Sequence, residues 1–260
     1  MCIRDRYDVG SYYKGEHLND IWGLTTIGIA KSQEEMDAHL AKVDQSSVGT
    51  NWGVGDIMYA DLDGDGKISN GTNKLGDTGD YRIIGNSTPR FKYGITLDAA
   101  WKGFDFSIFM QGIGKRDLWL DGCYFWGANG QGNEWQSTGF AEHWDFFRPE
   151  GDPLGANLNS YYPRVNFSGD RNTKVQTRYL QNGAYLRLKN VQLGYTLPRV
   201  WTEKAGISSV RVYVSGDNLA TITSLSKIFD PEATGSLAGT GSGKLYPLQR
   251  VISVGVNVNF

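Results

Sequence analysis

The closing residues, VISVGVNVNF, alternate without interruption: Ile252, Val254, Val256, Val258 and Phe260 fall on one side, Ser253, Gly255, Asn257 and Asn259 on the other. A period of two belongs to an extended strand, and it calls for apolar surroundings on one face and polar ones on the other. A half-buried strand of a soluble sheet has this pattern. So does the wall of an outer-membrane barrel, whose strands commonly finish on an aromatic ring at the membrane interface.

Further strands share the pattern. Residues 91–100 set Phe91, Tyr93, Ile95 and Leu97 against Lys92, Thr96 and Asp98, and residues 104–113 set Phe104, Phe106, Ile108 and Met110 against Asp105, Ser107 and Gln111. The Trp101-Lys102-Gly103 connection between them is short enough for a hairpin. A long strand is expected over 178–197, with Val191, Leu193, Tyr195 and Leu197 on one face, and another over 208–219, with Val210, Val212 and Val214 aligned. If the final strand descends to the periplasm, 101–103 and the short stretch after Leu197 lie inside, while 56–90, 114–177 and 220–247 face outside. Short inside and long outside is the asymmetry of outer-membrane barrels, which a soluble sandwich has no reason to share.

Composition bears on the same choice. No stretch approaches the ~20 consecutive apolar residues of a spanning helix, and mean hydropathy is −0.40. A barrel hides its apolar face from such averages because alternate residues are polar. The 26 basic residues are scattered and the net charge is −2, so the basic footprint of a nucleic-acid binder is missing. Cys2 and Cys123 are too few for a disulfide framework and lack zinc-site spacing. The opening MCIRDR has no apolar signal-peptide core. Residues 32–43 (SQEEMDAHLAKV) predict a short amphipathic surface helix capped by Ser32.

Six segments, in order, resemble the SusC/RagA family of TonB-linked outer-membrane proteins. They are GIAKSQEEMDAHL (28–40), GDIMYADLDGDGKIS (55–69), IIGNSTPRFKYGITLDAAWKGFDFSIFMQGIG (83–114), YLRLKNVQLGYTLP (185–198), VRVYVSGDNLATIT (210–223) and YPLQRVISVGVNVNF (246–260). The resemblance implies a 22-stranded barrel closed around an N-terminal plug, with a TonB-contacting segment ahead of the plug. It also implies import of large nutrients, glycans or peptides, under a SusD-like surface lipoprotein. The plug has no counterpart in these residues, and residues 1–7 do not fit the family. The expected fold is therefore all-β: antiparallel strands forming the C-terminal part of a barrel in the cell outer membrane. Its divisions are the unmatched 1–7, an extracellular loop region 8–90 with the helix and a calcium-like loop, and strands with long outer loops over 91–260. Five strands cannot close, and an open sheet in lipid leaves edges whose unpaired backbone groups cost several kcal/mol each. The remaining staves must come from elsewhere.

Two features carry candidate chemistry. In DLDGDGKIS, Asp61, Asp63 and Asp65 occupy positions one, three and five of an EF-hand-like loop, Gly66 the sharp turn and the Lys67 carbonyl position seven. Thr72 stands at position twelve where a bidentate acid belongs, so Asp80 or its neighbour Asp77 is expected to fold back and complete the Ca2+ ligands; the other reading is a solvated acidic turn. The stretch 119–147 is dense in rings, of which Trp119, Tyr124, Trp126 and Trp135 are the substrate-stacking candidates, against a reading in which they only pack the loop. Asp145, Glu150 and Asp152 show no context for paired-acid glycoside hydrolysis. His17, His39 and His143 lack partners at recognisable spacing. An enzyme is not expected. The rival is a secreted, calcium-stabilised β-sandwich that binds carbohydrate.

Overall fold

The computed structural model describes residues 15–130, 139–234, 246 and 248–260. In chain order the strands are β1 (Asp20–Gly23), β2 (Thr26–Ile29), β3 (Ile57–Tyr59), β4 (Arg82–Asn86), β5 (Arg90–Trp101), β6 (Phe104–Lys115), β7 (Asp117–Leu118), β8 (Gln181–Asn182), β9 (Tyr185–Thr196), β10 (Ser209–Thr223) and β11 (Val251–Asn259). Three short helices accompany them: α1 (Gln33–Leu40), α2 (Cys123–Trp126) and α3 (Arg199–Thr202). The chain divides into two compact units, one built from 1–88, 117–181 and 234–244, the other from 89–116, 182–233 and 245–260. A division at residue 90 is therefore redrawn: the long 117–181 loop packs with the N-terminal segment, because Arg164 and Arg171 pair with Asp56 there and the Tyr59 hydroxyl donates to Arg171 O.

The second unit is a five-stranded antiparallel sheet in the order β11-β10-β9-β6-β5. Register makes its two faces chemically opposite. One cross-strand row runs Ala99, Phe106, Leu193, Val214, Val254, and its neighbour runs Leu97, Ile108, Val191, Gly216, Ile252. The row between them, on the other face, is Asp98, Ser107, Gln192, Ser215, Ser253. In a soluble sandwich the apolar rows would be covered by a second sheet. Among the described residues they lie open, with Leu97 55%, Ile252 71% and Val254 76% exposed.

Local chemistry explains the register. Lys102 (φ 47°) and Gly103 (φ 90°) both take positive φ, as a tight two-residue hairpin requires. In β9 the apolar residues change parity, from Leu186 and Leu188 to Val191 and Leu193, and an irregularity opposite Phe109 and Met110 absorbs the extra residue, so all four keep one face. Gly194 has its own reason. On the polar face, Asp105 of β6 and Arg211 of β10 form an ion pair across β9, and a Cβ on Gly194 would sit 2.5 Å from Asp105 Oδ1 and 2.6 Å from Arg211 Nη2. Further along, Arg187 donates to Asp230 (2.8 Å) and Glu232 (2.9 Å), pinning the segment after β10 against the strand.

The strand expected over 178–197 is shorter. Thr177–Tyr179 form a 3-10 turn and β9 begins only at Tyr185. The interruption is built from side chains: Arg178 Nη2 donates to Ser160 O (2.8 Å) and Asn182 Oδ1 accepts from Ala184 N (3.0 Å). β10 extends to Thr223, beyond the expected 219, through a bulge at Asp217–Ala220 with Asn218 at φ 51°.

In the first unit, β1 pairs with β4 and β2 with β3. Helix α1 starts as expected, Ser32 Oγ accepting from Glu35 N (3.2 Å), but stops at Leu40. It is an amphipathic surface helix, exposed over most of its length and buried at Met36. Met36 is fully buried in a cluster with Ala30 and Met58, against which Leu40 and Trp52 pack. Below it Asp56, also fully buried, accepts from Gly53 N (2.9 Å), Arg164 Nε (2.8 Å), Arg164 Nη2 (2.6 Å) and Asn172 Nδ2 (2.8 Å), with Arg171 Nε 3.2 Å away.

Candidate functional site

The acidic loop folds as its spacing requires. Asp61 Oδ1 accepts from Gly64 N (2.7 Å) and Oδ2 from Gly66 N (2.9 Å), Asp63 Oδ1 from Asp65 N (3.1 Å), and Asp65 Oδ1 from Lys67 N (2.7 Å). Gly64 and Gly66 take φ of 80° and 78°, turns that a Cβ would strain. One carboxylate oxygen from each of Asp61, Asp63 and Asp65 lies within 4.8 Å of the others. Ligands 2.3–2.6 Å from a calcium ion sit about that far apart, so the donor set fits a hard cation. The Gly66 amide holds the Asp61 carboxyl below its usual range. At Asp63 the Asp65 amide pulls the same way, yet burial and the charges of Asp65, Asp80 and Asp61 outweigh it and raise the group.

Asp80 stands outside that triad. It is fully buried, with Oδ1 accepting from Leu62 N (2.6 Å) and Oδ2 from Ser69 N (2.8 Å). Asp80, expected to fold back and complete the ligand set, has both oxygens bracing the two ends of the loop. Asp77, the other candidate, accepts from Thr72 N (3.1 Å). Lys67 lies in a parallel bridge with Asp44.

The aromatic stretch divides into packed and open rings. Trp126 is 3% exposed: its centroid lies 4.7 Å from Tyr179, 5.2 Å from Phe125 and 5.9 Å from Trp119, and its Nε1 donates to Leu120 O (3.2 Å). It is a core ring, so the stacking role expected for Trp126 is withdrawn: no face is left for a ligand. Burial pushes the Tyr162 and Tyr179 hydroxyls well above their usual range, keeping the cluster neutral. His143 seals it from the side, Nδ1 accepting from Phe140 N (3.1 Å) and Nε2 lying 3.1 Å from the carbonyls of Tyr124 and Phe125. Trp119 and Tyr124 are half-buried, and Trp135 lies outside the described residues. Trp144, not among the sequence candidates, is exposed. The Arg148 guanidinium lies 5.4 Å from its ring centroid and 4.8 Å from that of Phe146, and Arg148 is fixed by Gly155 O (2.7 Å) and Trp144 O (2.9 Å). Sequence spacing gave no signal for that stack, because the 3-10 turn ends at Trp144 and the chain from Phe146 to Arg148 is held by bridges to Tyr162 and Asn157.

No family model matches the chain. TonB-dependent receptor P3 of Formosa agariphila is 33% identical over 216 residues, covering 79% of this chain and 19% of the receptor. TonB-dependent receptor P26 of the same organism is 30% identical over 256 residues, covering 95% and 23%. The chain thus spans about a fifth of the length of the curated relatives it matches. Among solved structures, the RagAB peptide importer in its open-open state aligns at a TM-score of 0.60 and 23% identity, over 93% of this chain and 22% of that one. Its closed-closed state gives 0.60 and 24% over 93% and 23%. These structures share the fold.

Proposed function

Because the chain belongs to the SusC/RagA-like TonB-dependent receptors, we propose that it forms neighbouring staves of a closed outer-membrane barrel and the loops above them, in a transporter importing a glycan or peptide. The observation that carries this reading is the sheet itself, apolar and open on one face, polar and cross-linked on the other. Lipid suits the first face and an aqueous lumen the second. TonB-dependent receptors are outer-membrane proteins, and the relatives are receptors rather than enzymes. A SusD-like lipoprotein would cover the outer loops, and TonB would act through a plug contributed by the rest of the receptor. In cells making the full receptor, removal of TonB is expected to abolish uptake while leaving nutrient binding at the surface intact. Uptake that continues without TonB would refute the transporter reading.

On the same reading the Asp61, Asp63 and Asp65 loop holds Ca2+ as a structural ion. With an affinity on the order of 10⁻⁴ M, as extracellular modules have, 1 mM calcium would stabilise the loop by about 1.4 kcal/mol. Calcium is expected to protect residues 61–80 of the full receptor from proteolysis, and a chelator or Asp63→Asn to remove that protection. Equal cleavage with and without the ion would leave only an acidic turn.

A further inference from the structure

The connection from β9 to β10 is turned inside out for a segment in water. In α3 the apolar Val200 and Trp201 are 72% and 68% exposed, while the polar Thr202 beside them is 5% exposed. The inversion is locally secured. Thr202 Oγ1 donates to Arg199 O (3.1 Å), Ile207 N donates to Thr202 O (3.2 Å), and Gly206 ends the turn at φ 72°. Arg199 and Glu203 pair at 2.6 Å on the exposed side, so the charges beside the two apolar residues are matched.

What lies around α3 identifies its surroundings. It follows Tyr195, which pairs in register with Phe104, itself opposite Trp101. Trp101 and Phe260 are largely exposed at this same end of the sheet, where Ser209 is opposite Asn259. Lys102 lies 4.9 Å from the Trp101 ring centroid. Indole rings mixed with ammonium and guanidinium groups, at the margin of a continuous apolar face, suit the boundary between acyl chains and lipid headgroups.

We infer that α3 is a membrane foot: Val200 and Trp201 insert at the headgroup–acyl boundary of the phospholipid leaflet at the short-turn end of the barrel. This rests on the barrel reading above and adds a second mode of contact, a helical turn lying on the interface beside strands that cross it. Such a turn would sit about 5–10 Å into the boundary. Water would instead favour the opposite arrangement, with Thr202 outward and the ring covered.

Quenching by lipids tests the position. The full receptor is reconstituted in phosphatidylcholine vesicles brominated either near the headgroup end of the acyl chains or near their termini. The emission of Trp201 is taken as the difference between the wild type and Trp201→Phe, a change that keeps an apolar ring and the fold. Trp101→Phe supplies the same difference for a strand-end residue. Shallow bromines are expected to quench the Trp201 component severalfold more than deep ones, and aqueous iodide to leave it nearly unchanged. If iodide quenches Trp201 while bromolipids quench only Trp101, the foot is refuted and the barrel stands. If neither reagent reaches Trp201, protein covers it, whether a second copy or another chain, and the foot is equally refuted. Failure of bromolipids to quench Trp101 as well would bring down the barrel reading itself.

Discussion

Asp56→Ala is expected to cost about 3–5 kcal/mol, the range for removing one partner from a buried ion pair. The carboxylate is fully buried and gathers Arg164, Arg171, Asn172 and the Gly53 amide. Without it the Arg171 side chain, 10% exposed, keeps its charge with no counter-charge beside it. The residues it joins come from 53–56 and 164–172, so its loss is expected to loosen the long loop from the N-terminal segment, which the Tyr59, Asn172 and Gln176 hydrogen bonds still link. Hydrogen exchange should show both stretches losing protection together, and Asp56→Asn, which keeps the shape and part of the bonding, should fall between. A loss below about 1 kcal/mol would mean that the remaining contacts hold the unit and the carboxylate is incidental.

Leu97→Arg on the open face should destabilise the inserted receptor by about 2–4 kcal/mol, as a cation near the bilayer midplane does. Leu97 is well placed for this test, since it sits mid-strand in a row of apolar residues reaching Ile252. Its neighbour Thr96 points to the polar face, and Thr96→Arg should cost little. The measurement is the denaturant midpoint of the full receptor in vesicles. Equal midpoints for the two variants would place Leu97 in water, since a charge on an exposed strand face is nearly neutral there.

Much of this was legible beforehand because alternation is a local property. The parity of Leu97, Ile108, Leu193 and Val254 assigns each side chain to a face wherever the strand goes, and the Lys102-Gly103 turn fixes the register between the first two strands. The Ser32 cap and the 61–67 loop were readable for the same reason: their partners lie within a few residues. Other features were not, since they depend on partners from about ten to more than fifty positions away, outside the reach of local pattern. The amphipathic pattern placed Met36 in a surface helix without naming the partners that bury it, and the fate of Trp126 turned on Tyr179, which local pattern had assigned to a strand. Asp80 has the right chemistry for a ligand, and only the positions of Leu62 N and Ser69 N show that it also braces the loop.

The sequence by itself determined that five long strands are present, which of their side chains share a face, and that three aspartates meet in one turn, because each follows from backbone geometry over a short span. Only the tertiary structure decided what covers those faces. It buried Met36 and Trp126, joined 117–181 to the N-terminal segment through Asp56 and other contacts, and left the apolar face of the sheet without protein over it among the described residues, because burial is settled by distant parts of the chain competing for the same surface.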